Sequence, residues 1–332
     1  MTRWDWTWED RSQANLAPPV APEETGEQPD MSPATGNAPA PRPGVGPVVR
    51  RRRAAAIGLA IVVVILLIVA IGSHKSSGKT PVTATKDHRS IPTLTPAERT
   101  AAVVRGEENA VNSVLAYTPA ITSGGSHGNE LALTFDDGPG PYTQQLVATL
   151  DRLHVHATFF AIGDQEQYFS AGTIAEIKSG DVIGDHTETH PMMATLSPHE
   201  QHEELFDQMA QIEVVGGRRP RLFRPPYGSF DATTFKELHH LHLLMVLWSV
   251  DTSDYTLPGV SAIVHTALAG AKPGAIILMH DGGGNREETI AALPAIVRGL
   301  RKRGLHPVTV PQLLEHDPPP HGLPLPTNLS GD

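Results

Sequence analysis

Over residues 129–316, apolar runs of strand length alternate with amphipathic stretches of helical period. The runs are Leu131–Phe135, Ala157–Ile162, Asp181–Gly184, Arg221–Arg224, Leu243–Val250, Ala275–Met279 and Pro307–Val310. Between them lie TQQLVATLDRL, SPHEQHEELFDQMAQIEVV, DATTFKELHHL and EETIAALPAIVRGLRKRG. Ser197 and Glu200 form a capping box at the start of the second stretch, and basic residues with a glycine close the last. Strand, helix, strand repetition predicts parallel strands with helices outside. Seven strands point to an α/β barrel, (β/α)7, while a doubly wound open sheet also fits the pattern.

Upstream the pattern changes. Ala54–Gly72 is an uncharged apolar run of 19 residues behind the block Arg50–Arg53. That length spans a bilayer as a helix, and the basic flank places residues 1–53 in the cytoplasm and the rest of the chain outside. The rival reading is a cleaved signal peptide, which exports the same residues. Residues 73–128 read as an extracytoplasmic linker holding a stalk or packing helix, with Thr95, Pro96 and Glu98 at its start. The ordered domain is expected over 129–316, followed by a disordered Pro-rich tail over 317–332.

Composition adds limits. Residues 1–49 carry nine prolines and few clustered aliphatics, a composition expected to be disordered; Trp4, Trp6 and Trp8 there suggest either a docking motif or a tail without a specific role. The chain has no cysteine, so a metal site must use histidine and carboxylate. The formal net charge of −10 argues against a nucleic-acid partner.

The out-of-place polar residues follow the strands. Asp136 and Asp137 follow the first, His186 the third, Asp251 the fifth and His280 the sixth, and Arg224 ends the fourth. Strand C-terminal ends are where α/β folds place their sites. Regular strands point successive residues to opposite faces, so Asp136 and Asp137 can share a site only if the chain breaks, as Gly138 and Pro139 would allow. His186 and His190 are four apart, but Pro191 disfavours helix at His190, so a loop or single turn is expected. With one carboxylate they would make an N/O site suited to zinc. Arg224 before two prolines reads either as a surface residue on a rigid turn or as a guanidinium held against a carboxylate. Asp251 and Asp254 are each a helix cap or a partner for a histidine. His280 taken alone is equally a satisfied core residue.

In order along the chain, TFDDGP, HTETH, RPPYG, DTSDY and LMH resemble the motif set of the NodB-type polysaccharide deacetylases, carbohydrate esterase family 4. The resemblance covers residues 129–316 and implies a distorted (β/α)7 barrel, the NodB homology domain. It implies Asp136 as general base and Asp137, His186 and His190 as ligands of a divalent metal, zinc first and cobalt second. Thr187 would brace the ligand loop and Arg224 would orient Asp136. The N–H of Tyr227 would stabilise the oxyanion, and Asp251 would tune His280, the general acid. Leu278, Tyr227 and Tyr255 would contact substrate, Tyr255 standing where the family often has tryptophan. The implied function is removal of N-acetyl groups from a cell-surface polysaccharide, peptidoglycan first, by an enzyme anchored in the cell membrane by one span. An O-acetyl esterase ranks second, and a non-catalytic glycan-binding module third.

Overall fold

The computed structural model describes residues 95–327. The N-terminal tail and the span expected at 54–72 lie outside them. Among the described residues, no helix is long and apolar enough to cross a membrane.

Nine parallel strands form one sheet. They are β1 (Ala120–Ile121), β2 (Glu130–Gly138), β3 (Thr158–Ala161), β4 (Val182–Asp185), β5 (Leu222–Phe223), β6 (Leu244–Val246), β7 (Val250–Asp251), β8 (Ile276–His280) and β9 (His306–Val308). Their order is β1-β6-β5-β4-β3-β2-β8-β7, with β9 also pairing β2. The helices are α1 (Pro96–Leu115), α2 (Thr143–Leu153), α3 (Glu166–Ser179), α4 (Pro198–Val214), α5 (Ala232–Leu241), α6 (Val260–Gly270), α7 (Glu287–Lys302) and α8 (Val310–His316).

The run expected as one strand, Leu243–Val250, divides into β6 and β7. These stand at distant places in the sheet order, yet only residues 247–249 separate them. Four Cα steps reach at most about 14 Å, so the sheet must curl to bring its two ends together. It is a curled parallel half-barrel rather than an open doubly wound sheet. Arg224 explains where the strand breaks. Its guanidinium donates to the carbonyls of Val246 (2.9 Å) and Leu247 (3.2 Å), so a side chain supplies the bonds the ladder lacks there.

Burial on both faces makes the central strands read as unbroken apolar runs. Leu131, Leu133 and Phe135 of β2 face outward onto Leu146 and Leu150 of α2 and Leu293, Ile296 and Val297 of α7. Ala132, Phe160, Leu222, Leu244 and Ile276 face inward. Their core is completed by Val111 and Val114 of α1 and by Val310, Leu313 and Leu314 of α8. The helix expected in the linker therefore plugs the barrel, and the packed unit takes in residues upstream of 129. A capping box, Thr309 with Gln312, starts α8, and the box predicted at Ser197 starts α4.

The chain also stays packed beyond Glu315. Asp317 accepts the N–H groups of His127 and Gly128, each at 2.7 Å. Tyr117 donates its hydroxyl to the carbonyl of Pro319 (2.7 Å), and its ring stacks on His321 at 3.8 Å. Disorder is thus not what the described part of the Pro-rich tail shows. Pro319 has no N–H to satisfy, and its carbonyl has found a partner.

Candidate active site

The first strand end holds the two aspartates. Pairing of β2 with β3 slips between Asp136 and Gly138, and Asp137 takes φ 71°. This bulge cancels the alternation that would send the carboxylates to opposite faces. The break falls at Asp137 itself, one residue before the expected Gly138. Asp136 keeps its register opposite His280 of β8. Gly283 is required close by: its φ is 71°, and a Cβ there would lie 2.6 Å from Asp137 Oδ2.

Asp137, His186 and His190 converge, their ligand atoms all within 4.8 Å of one another. His186 Nε2 is 3.5 Å and His190 Nε2 3.1 Å from Asp137 Oδ1. Nδ1 of His186 lies 2.7 Å from the carbonyl of Arg224. A carbonyl only accepts, so Nδ1 carries the proton and Nε2 presents its lone pair. Burial pushes the Asp137 carboxyl up, but hydrogen bonds to His186 and His190, with the charges of His186 and His280, outweigh it and hold the group well below the usual range. A carboxylate and two imidazoles in this arrangement fit a divalent ion of the zinc type.

Residues 186–190 form a loop, as the proline predicted. Thr187 (φ 68°) and His190 (φ 64°) both lie in the left-handed region. The Thr187 hydroxyl accepts the N–H of His190 (2.9 Å) and donates to the carbonyl of His186 (2.5 Å). Two supports escaped the sequence analysis. Asp185 accepts the N–H of Thr187 at 2.7 Å, and Glu204 of α4 accepts the N–H of Thr189 at 2.8 Å.

Arg224 is fully buried, the guanidinium reading of the two left open. It donates to Asp136 Oδ1 (2.7 Å) and Thr134 Oγ1 (2.9 Å), and its guanidinium carbon lies 4.1 Å from the centre of the Phe160 ring. Burial lowers its pKa, and Asp136 works in the opposite sense. The pair fixes Asp136 where it meets His186 Nε2 at 3.8 Å.

One assignment needs correcting. Asp254, not Asp251, sits against His280. Its Oδ1 lies 2.7 Å from His280 Nδ1, and its Oδ2 accepts the N–H of His280 (3.0 Å) and the hydroxyl of Thr289 (2.6 Å). Asp251 instead accepts the N–H of Ser253 at 2.7 Å. Ser253 at φ 51° turns the chain so that the later acid returns beneath the histidine. Burial works against a charged His280, but the hydrogen bond and charge of Asp254, with Asp136 and Asp137, raise its pKa above the ordinary 6.5.

The expected substrate contacts surround these groups. Tyr227 (φ 58°) is exposed, and its hydroxyl lies 3.2 Å from His190 Nδ1. Tyr255 is exposed too, its ring 5.3 Å from that of His280. Leu278 is buried two residues before His280, on the same face of β8. A cavity of ≈ 590 Å³ lies at the other end of the barrel, bordered by Val111, Asp181, Arg218 and Leu222. None of the candidate catalytic residues lines it, so geometry and chemistry, not volume, locate the site.

Residues 123–246 match the family model described as polysaccharide deacetylase. A peptidoglycan-N-acetylglucosamine deacetylase of Bacillus cereus is 38% identical over 189 residues, 56% of this chain and 88% of that protein. A chitooligosaccharide deacetylase of Bradyrhizobium is 34% identical over 194 residues, 54% of this chain and 89% of that one. Among solved structures, a peptidoglycan N-acetylglucosamine deacetylase superimposes with a TM-score of 0.58 at 31% identity, covering 60% of this chain and 94% of that chain.

Proposed function

The chain belongs to the polysaccharide deacetylase family, and we propose that it hydrolyses the N-acetyl group of peptidoglycan N-acetylglucosamine with the help of a divalent metal, zinc first. The observation that carries this reading is the convergence of Asp137, His186 and His190 beside an Asp136–Arg224 pair and an Asp254–His280 pair. The two acid–base candidates, Asp136 and His280, stand in register on adjacent strands beside a metal-type donor set.

What a divalent ion contributes when bound there is Lewis-acid polarisation and a water of lowered pKa. Asp136, oriented by Arg224, takes a proton from the attacking water. The backbone N–H of Tyr227 steadies the charge that develops on the amide oxygen. His280, kept protonated by Asp254, delivers its proton to the departing nitrogen. The carbon–nitrogen bond breaks, leaving acetate and a free amine. Tyr227 and Tyr255 flank the site and offer two aromatic faces to a sugar ring. The apolar segment at 54–72 supports an anchored enzyme with its catalytic domain outside the cell membrane.

The substrate is tested by mass spectrometry of muropeptides from cells with and without the gene. Loss of the gene should raise the acetylated fraction of glucosamine. An unchanged wall would remove peptidoglycan as the substrate and favour a chitin-type oligosaccharide.

A further inference from the structure

We propose that Asp185 is a positioning residue for the metal-ligand loop, its carboxyl setting His190 and its main-chain carbonyl setting His186. The inference rests on the metal reading above. Asp185 ends β4, next to His186, and is shut off from solvent. Its two oxygen-bearing groups serve different histidines.

The first route runs through the side chain. Asp185 Oδ1 accepts the N–H of Thr187 (2.7 Å), closing a turn around His186. That bond supports Thr187 at φ 68°, a region a β-branched residue avoids. So turned, Thr187 accepts the N–H of His190 at 2.9 Å, and His190 Nε2 comes to 3.1 Å from Asp137 Oδ1. The second route uses main chain. The carbonyl of Asp185 accepts the N–H of Arg224 (2.9 Å), and the carbonyl of Arg224 takes the Nδ1 proton of His186 at 2.7 Å. A side-chain substitution cuts only the first route.

Asp185 Oδ2 has no hydrogen-bond partner among the described residues. One acceptor is all the loop draws from this carboxyl, and the Oδ1 of asparagine supplies the same acceptor. The role is therefore hydrogen bonding rather than charge, and two variants separate the possibilities.

Cobalt is titrated into the metal-free full chain for the wild type, Asp185→Ala and Asp185→Asn, reading both affinity and the visible ligand-field spectrum. Asp185→Ala should weaken binding about 10–100-fold and alter the spectrum, as loss of a support behind a metal ligand does. Asp185→Asn should reproduce the wild type in both. Wild-type affinity in Asp185→Ala overturns the inference, as does an Asp185→Asn that loses as much as alanine. Should Asp185→Ala fail to fold by circular dichroism, Asp185→Asn decides alone: retained affinity supports the role and lost affinity overturns it. A wild type that binds no cobalt sinks the metal reading and this inference together. A wild type that binds, with an unaffected alanine variant, sinks this one only.

Discussion

The proposed mechanism gives two adjacent aspartates different work because their neighbours differ. Asp136 meets a buried guanidinium, and Asp137 meets two imidazoles. Asp136→Asn should leave zinc affinity near that of the wild type while turnover falls about 10²–10⁴-fold, the usual contribution of a general base. Asp137→Ala should weaken zinc binding itself. Equilibrium dialysis and acetate release separate the two outcomes. In register with Asp136, His280 has a raised pKa that keeps it protonated above its ordinary 6.5. Asp254→Asn removes the carboxylate charge that helps hold His280 protonated against its burial. The alkaline limb of the kcat/KM profile should therefore move to lower pH. Asp251→Asn should leave that limb in place, and equal shifts in both variants would contradict the pairing seen here.

At the scale of elements, legibility depended on where the deciding contact lies. Strands buried on both faces announce themselves as apolar runs, so β2, β3 and β8 were readable. The break inside Leu243–Val250 was not, because Arg224 sets it from another strand. Asp251 and Asp254 share one short segment, and the left-handed Ser253 between them chooses which reaches His280. The bulge at Asp137 could be anticipated only as a need for some break nearby. An amphipathic helix reads alike whether it is a stalk or a plug, and α1 became a plug because the barrel interior offered an apolar surface. Removing residues up to 128 should therefore expose that core and abolish cooperative unfolding in denaturant. Leu313→Ala, at the fully buried centre of α8, should cost about 2–5 kcal/mol in the same measurement.

For the molecule as a whole, curling brings the C-terminal ends of the strands to one mouth and closes the other end with α1 and α8. Burial also pushes four carboxyls up to about 7: Glu166 and Asp281, which are buried, and Asp181 and Glu188, which are partly buried. A carboxyl whose folded pKa exceeds its ordinary 3.8 or 4.5 takes up a proton on folding, so stability falls as pH rises between those values. His280, also raised, loses its contribution as pH rises through its folded pKa, in the same direction. Asp137 and Asp254 are lowered, and their contributions are lost only on acidification below 3.8. With chelator present, the melting temperature should be higher at pH 6 than at pH 8, and the reverse order would count against these raised carboxyls. The central claim, metal-assisted deacetylation at the Asp137–His186–His190 cluster, is tested most directly by acetate release from N-acetylated peptidoglycan. Release should stop when chelator strips the protein and return on adding zinc or cobalt; release that continues undiminished after complete metal removal would contradict the account.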